Sequence, residues 1–262
     1  MFMRRFRRFA AIVPIALLFC VTTPNTGDAA CALRVGWNQY AIYTFEDAQG
    51  KATGIDVELV RALAKYIGCT VTFVELPWAR VLTEMKDGTL DMTTSASRTP
   101  ERETFAWYSD PYREAEVAIF VRHGEASAYK LDSLSSISSS DFSLGVVAGY
   151  YYGAEFERLM KDPAFAAHVE GATDYPINIR KLLHRRIDGF LVDDIGVMVG
   201  EIKNLDLTGR LERYPLRIAA ERLHLMFSKK SVDPSIVEAV NESLAKMKAD
   251  GRLQSIMDRF LN

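Results

Sequence analysis

The chain has 262 residues, 48% of them hydrophobic and 25% charged, with 32 Lys+Arg against 34 Asp+Glu for a formal charge of -2. That balance excludes a disordered chain, which lacks the apolar residues to build a core, and a strongly basic nucleic-acid binder. The length allows one large domain or two smaller ones. The first thirty residues differ from the rest: a basic stretch with Arg4, Arg5, Arg7 and Arg8 runs into an apolar stretch over 10–21, then into Gly27-Asp28-Ala29-Ala30. This is the three-part form of a secretory signal peptide. Its apolar run, broken by Pro14, is shorter than the roughly 20 residues a membrane-spanning helix needs. Residues 1–30 are therefore predicted to be a leader, cleaved after Ala29 or Ala30. Asp28 stands where a lipoprotein signal wants an aliphatic residue, so Cys31 is expected to carry no lipid. Removal of the leader discards Cys20 and leaves Cys31 and Cys69, which are predicted to form one disulfide in an oxidising compartment.

After Cys31 short β-rich runs alternate with helical periodicity, which predicts an α/β fold with mostly parallel sheets. A strand over 33–37 leads to an aromatic loop with Tyr40, Tyr43 and Phe45. A helix follows with Val57, Val60, Leu63, Ala64 and Ile67 on one face, stopped by Gly68. A strand over 70–74, a helix over 79–86, a strand over 90–92 and a strand over 116–122 come next. The serine-rich stretch 133–140 reads as a loop with a short helix. A second alternating set then gives a strand over 143–147, helices over 152–160 and 178–186, a strand over 189–192 and a helix over 195–202. A strand over 223–227 precedes two terminal helices. The first is capped by Asp233 with Pro234 at its first position and stops at Gly251; the second buries Leu253, Ile256, Met257 and Phe260.

Standard catalytic motifs are missing from the sequence: it has no P-loop, nucleophile elbow, zinc-protease helix or dinucleotide fingerprint. His123, His168, His184 and His224 lack metal-ligand spacing, so no metal and no cofactor is expected. The basic run 180–186 has helical apolar spacing and reads as a solvated helix face. The segment Thr94-Ser95-Ala96-Ser97-Arg98-Thr99-Pro100-Glu101-Arg102 stands out. Hydroxyls and free backbone donors at the C-terminal end of a strand are where α/β sheets place ligands, and an arginine can hold a carboxylate with two parallel hydrogen bonds. A surface salt bridge is the competing reading of Arg102.

The pieces Leu33-Arg34-Val35-Gly36, Gly54-Ile55-Asp56-Val57-Glu58-Leu59, Pro77-Trp78 and Gly88-Thr89-Leu90-Asp91 occur in order with Ser97 to Arg102 and Ser109-Asp110-Pro111-Tyr112. Further on come Gly145-Val146-Val147-Ala148-Gly149, residues 186–193 and Asp250-Gly251-Arg252-Leu253. The series resembles the bacterial extracellular solute-binding proteins of family 3, periplasmic receptors of polar amino-acid ABC importers. The resemblance implies a type II periplasmic binding protein fold: two α/β lobes joined by two crossing strands, with the ligand between them. The crossings are expected near 116–122 and 220–227, giving lobe 1 as 31–118 plus 222–262 and lobe 2 as 119–221.

By the same resemblance Arg102 clamps an α-carboxylate with the backbone N–H of Ser97. Ser95 through its carbonyl, Ser97 through its hydroxyl and Asp193 through its carboxylate receive an α-ammonium. Asp194 competes with Asp193 for that role, and either could instead cap the helix at Ile195. Trp78 is expected to reach the ligand side chain, and Tyr40 or Tyr43 to cover it. Gly149-Tyr150-Tyr151-Tyr152-Gly153 departs from the family by replacing small hydroxyl residues with tyrosines. Tyr150 and Tyr151 with Trp78 therefore suggest a flat, aromatic or cationic ligand.

The expected function is a non-enzymatic monomer that binds a small amino acid or related organic acid and partners ABC importer membrane subunits, with no nucleic acid. Two alternatives share the fold. One is a dehydratase acting on a prephenate-like cyclic acid, with Glu155 or Glu170 as general acid; the other is a soluble ligand-sensing module.

Overall fold

The computed structural model of the chain describes Met1 and residues 31–261, so the leader predicted over 1–30 lies, Met1 apart, outside the described residues. The strands are β1 (Ala32–Trp37), β2 (Phe45–Glu46), β3 (Ala52–Thr53), β4 (Thr70–Glu75), β5 (Met92–Ser97) and β6 (Ala106–Tyr108). They continue as β7 (Arg113–Arg122), β8 (Leu144–Val147), β9 (Val169–Ala172), β10 (Gly189–Val192), β11 (Leu211–Arg213) and β12 (Ala219–Ser228). The helices are α1 (Ile55–Ile67), α2 (Trp78–Asp87), α3 (Pro100–Glu103), α4 (Ala154–Leu159) and α5 (Pro163–Ala166), then α6 (Tyr175–Leu183), α7 (Ile195–Asn204), α8 (Pro234–Ala249) and α9 (Arg252–Leu261). The serine-rich stretch forms a short 3₁₀ helix, Leu134–Ser139, closed by a Ser133–Ser136 capping box.

The strands join in the order β4-β1-β5-β12-β7-β10-β8-β9, and the antiparallel pairings of this sheet all involve β7 or β12. Away from those two strands the pairing is parallel: β1 lies between β4 and β5, and β8 lies between β9 and β10. This is the predicted two-lobe α/β architecture. β7 pairs with β12 through Arg113 to Val117 and with β10 through Ala118 to Val121, so one continuous strand passes from one lobe into the other.

Local chemistry explains most element ends. Gly68 closes α1 in the left-handed conformation, its N–H donating to the Ala64 carbonyl, and Asp233 accepts from the Ser235 N–H to start α8. Gly54 precedes α1 at φ 118°, where an added Cβ would lie 2.3 Å from the Tyr43 carbonyl oxygen. That carbonyl and the one before it accept from the first helical amides, Asp56 N–H and Ile55 N–H. The aromatic loop is thereby fixed to the helix start.

Two expectations need correction. The strand predicted over 90–92 is β5, Met92–Ser97, so Thr94 to Ser97 lie within a strand and not beyond its end. Its register with β12 slips by one residue between His224 and Met226, and Ser95 has φ 52°, the geometry of a β-bulge. The bulge turns Ser95 out of the regular alternation, which a periodicity argument cannot detect. The helix predicted over 178–186 begins earlier, because Asp174 caps it through the Ile177 N–H and Pro176 fits its first turn.

Cys31 and Cys69 are bridged, with Cα atoms 4.5 Å apart, where the parallel strands β1 and β4 begin. The bond closes a separation of 38 residues. Replacing both cysteines with serine is expected to lower stability by about 2–4 kcal/mol on a loop-entropy basis. Urea unfolding of the variant against the oxidised protein measures this; equal midpoints would contradict it.

Candidate functional site

The parallel strands set where a ligand can bind. In an open α/β sheet the crevice forms beyond the carboxyl ends of two adjacent strands whose connections leave in opposite directions. In lobe 1 that point lies between β1 and β5, with β4 on the far side of β1. In lobe 2 it lies between β8 and β10, with β9 on the far side of β8. The loops leaving these four strands meet around one cavity.

Lobe 1 supplies Trp37, Asn38, Tyr40 and Thr44 from the end of β1 and the loop after it. Trp78 comes from the start of α2, Thr93 to Ser95 and Ser97 from β5, and Arg102 from α3. Lobe 2 supplies Tyr150 and Tyr151 after β8 and Asp193 after β10. Of the residues singled out in the sequence, Arg102, Ser97, Ser95, Asp193, Trp78, Tyr40, Tyr150 and Tyr151 therefore meet on one cavity. Tyr43 does not line it; it sits within the turn closed by the Tyr40–Thr44 bridge, and its ring centre lies 3.6 Å from the guanidinium carbon of Arg113.

Arg102 is 6% exposed, which rules out the surface salt bridge. It donates to the carbonyls of Ser97 (3.0 Å) and, across the cleft, Gly149 (2.9 Å), and its guanidinium carbon lies 5.5 Å from the Trp78 ring centre. Trp78 Nε1 donates to the same Gly149 oxygen at 2.9 Å. Gly149 takes φ 80°, and a Cβ there would lie 3.3 Å from Trp78 Cδ1, so the glycine suits both the backbone and the close approach. Burial lowers the Arg102 pKa, while Tyr108 and Asp193 oppose that shift.

Asp193 accepts from the Tyr40 hydroxyl at 2.9 Å and from the Tyr175 hydroxyl, both on Oδ1, and its own N–H donates to the Tyr175 oxygen at 3.0 Å. Burial pushes its carboxyl up to about 6 against the Tyr175 and Tyr40 hydrogen bonds. The neighbouring Asp194 is engaged elsewhere: it caps α7 through the Gly196 N–H at 2.8 Å and forms a buried ion pair with Arg113. Arg113, on the crossing strand β7, also donates to Ser95 Oγ at 2.7 Å, and Ser95 Oγ donates to Asp56 at 2.6 Å. Burial works against the Arg113 charge, but Tyr112, Asp194 and Asp56 outweigh it and hold the guanidinium charged.

The sequence reading missed Trp37, Asn38, Thr44, Thr93, Arg113 and Tyr175. The cap of α6 at Asp174 was the signal that could have drawn attention to Tyr175. The acids offered for catalysis, Glu155 and Glu170, are exposed and lie outside the cavity lining; Glu170 pairs with Lys181. Among the described residues no cluster of three or more His, Cys, Asp or Glu is placed to hold a metal ion.

The site belongs to a two-lobe α/β binding protein. Residues 33–262 match the bacterial extracellular solute-binding proteins, family 3, and the chain is a member of that family. It is 23% identical to the probable amino-acid-binding protein YxeM of Bacillus subtilis, over 98% of this chain and 96% of the relative. It is 24% identical to the L-cystine-binding protein TcyJ of Escherichia coli strain K12, over 84% and 79% of the two chains. Among solved structures it superposes on an ancestral arginine-binding protein bound to arginine with a TM-score of 0.75 and 24% identity, covering 88% of this chain and 98% of that one.

Proposed function

We propose that the chain is a periplasmic receptor that encloses a small amino acid or related organic acid between its lobes and delivers it, as a monomer, to the membrane subunits of an ABC importer. The lobes are 31–118 with 222–262, and 119–221, and the leader 1–30 directs export. One observation carries the reading: Arg102 from one lobe and Asp193 from the other face a single cavity. A zwitterion fits that pair, since each of its charges needs a buried partner.

In this reading Arg102 and the Ser97 N–H hold the carboxylate, while the Ser95 carbonyl, Ser97 Oγ and Asp193 take the ammonium. Tyr40 covers the ammonium end, and Trp78, Tyr150 and Tyr151 pack on the rest. The importer role is supported by the family and by the names of the relatives. The reading is non-catalytic. The lining carboxyl, Asp193, is held by two tyrosine hydroxyls, and the two glutamates that could have served as acids lie outside the cavity.

The test is the mass of the small molecule released when protein purified from a periplasm is unfolded. An amino acid supports the reading; a cyclic acid that the protein converts on incubation contradicts it.

A pH dependence follows. Asp193 must be ionised to pair with an ammonium, and its carboxyl titrates at about 6. Affinity is expected to fall about tenfold per pH unit below that point. The ligand-free fold behaves oppositely: a carboxyl whose pKa rises on folding contributes stability at low pH and loses it as pH climbs through about 6. Calorimetry across about pH 4.5 to 8 checks the first sign, and Asp193→Asn, expected to flatten both trends, checks the assignment.

A further inference from the structure

We infer that the ligand's side chain is uncharged and carries a hydrogen-bond donor, a hydroxyl or a carboxamide, and that Asn38 is the residue that reads it. The inference rests on the receptor reading and deepens it.

Among the described residues Arg102 and Asp193 are the charged side chains that line the cavity. The carboxylate and ammonium of an amino acid occupy both. Arg113 below the floor is already engaged with Asp194, Ser95 and the face of Tyr43. Glu157 and Glu221 act on Tyr151 from outside the lining. A basic or acidic side chain would therefore bring a third charge into the site without a partner.

The neutral lining is rich in acceptors. Asn38 donates through Nδ2 to the Gln39 carbonyl at 3.1 Å and to the Tyr150 hydroxyl at 2.9 Å. A carboxamide has two N–H donors, so both are committed and Oδ1 remains as an acceptor. Thr44 and Thr93 likewise give their hydroxyl hydrogens to the backbone carbonyls of Asn38 (2.7 Å) and Gly36 (2.8 Å), which leaves their oxygens as acceptors. The Tyr150 ring that holds Asn38 is itself fixed edge-on against Trp78, Tyr40 and Tyr175, with centres 6.0, 6.1 and 5.7 Å away. Asn38 thus presents Oδ1 from a braced position.

The experiment titrates ligand-free protein with serine, threonine, asparagine and glutamine, and with leucine, glutamate, lysine and arginine. One of the first four is expected to bind at least about tenfold more tightly than leucine and about 100-fold more tightly than lysine or arginine. Asn38→Asp places a carboxylate where Oδ1 now stands and is expected to raise lysine or arginine affinity at least about tenfold. Arginine, lysine, glutamate or leucine binding the native protein as tightly as the best neutral donor would overturn the inference and leave the receptor reading standing. Binding of none of the four neutral donors overturns the inference whatever the other four do, and the receptor reading is then decided separately by the mass of the molecule released on unfolding.

Discussion

Arg102→Ala is expected to weaken amino-acid binding by about 3–5 kcal/mol while leaving the protein folded. The alanine removes the buried cation that would face the ligand carboxylate, and that carboxylate is then held without a counter-charge. The fold is expected to survive because, among the described residues, the guanidinium hydrogen-bonds to two carbonyls, those of Ser97 and Gly149, and to no carboxylate. Arg102→Lys keeps the charge but loses the planar fork, so an intermediate loss is expected. Arg98→Ala is the control: its side chain is 60% exposed and pairs with Glu103, outside the cavity. Calorimetric titration with circular dichroism of each variant separates binding from folding. Near-native affinity in folded Arg102→Ala, or equal losses at Arg98 and Arg102, would return Arg102 to a structural role.

The largest expected effect on stability lies beneath the cavity, at Arg113. Its side chain is 6% exposed and that of Asp194 is 5% exposed, and Asp56 is fully buried beside them. Arg113→Met leaves both carboxylates without their cation and is expected to cost about 3–5 kcal/mol at neutral pH. The deficit should shrink in acid, where the stranded Asp56 carboxylate takes up a proton. Burial already raises the Asp56 pKa in the native protein with Arg113 present, so removing the cation moves it further in the same direction. Adding Asp194→Asn, which keeps the cap on α7 but removes one charge, should restore part of the loss. Urea unfolding at two pH values measures all three. A single variant within about 1 kcal/mol of the native protein would show that Arg113 contributes little.

Much of this was legible in the sequence because it is local chemistry. The alternation of strand and helix, the Asp233-Pro234 start of α8 and the Gly68 end of α1 follow from rules that act within a few residues. The cysteine pairing was legible from two strand starts and an exported chain. The bulge at Ser95 was not, because it depends on a register slip against β12, which is about 130 residues away in the chain and within hydrogen-bonding distance in space. β9 was missed because Val169-Glu170-Gly171-Ala172 is short and half-exposed and so carries no alternation. The choice between Asp193 and Asp194 was left open by the residues themselves. It turns on the partners Tyr40, Tyr175 and Arg113, which come from three other parts of the chain. Tyr43 and Tyr40 looked equivalent for the same reason, and only the 40–44 turn distinguishes them.

The central claim is that a zwitterion is held between Arg102 and Asp193, and ligand derivatives test it most directly. The tightest-binding free amino acid is titrated beside its α-amide, which lacks the carboxylate, and its N-acetyl form, which lacks the ammonium. The account predicts that each derivative binds native protein at least about 100-fold more weakly. It also predicts that Arg102→Ala no longer distinguishes acid from amide, and that Asp193→Asn no longer distinguishes the free amine from the N-acetyl form. An amide or N-acetyl derivative that binds as tightly as the free amino acid, or a variant that still discriminates as native protein does, would contradict it.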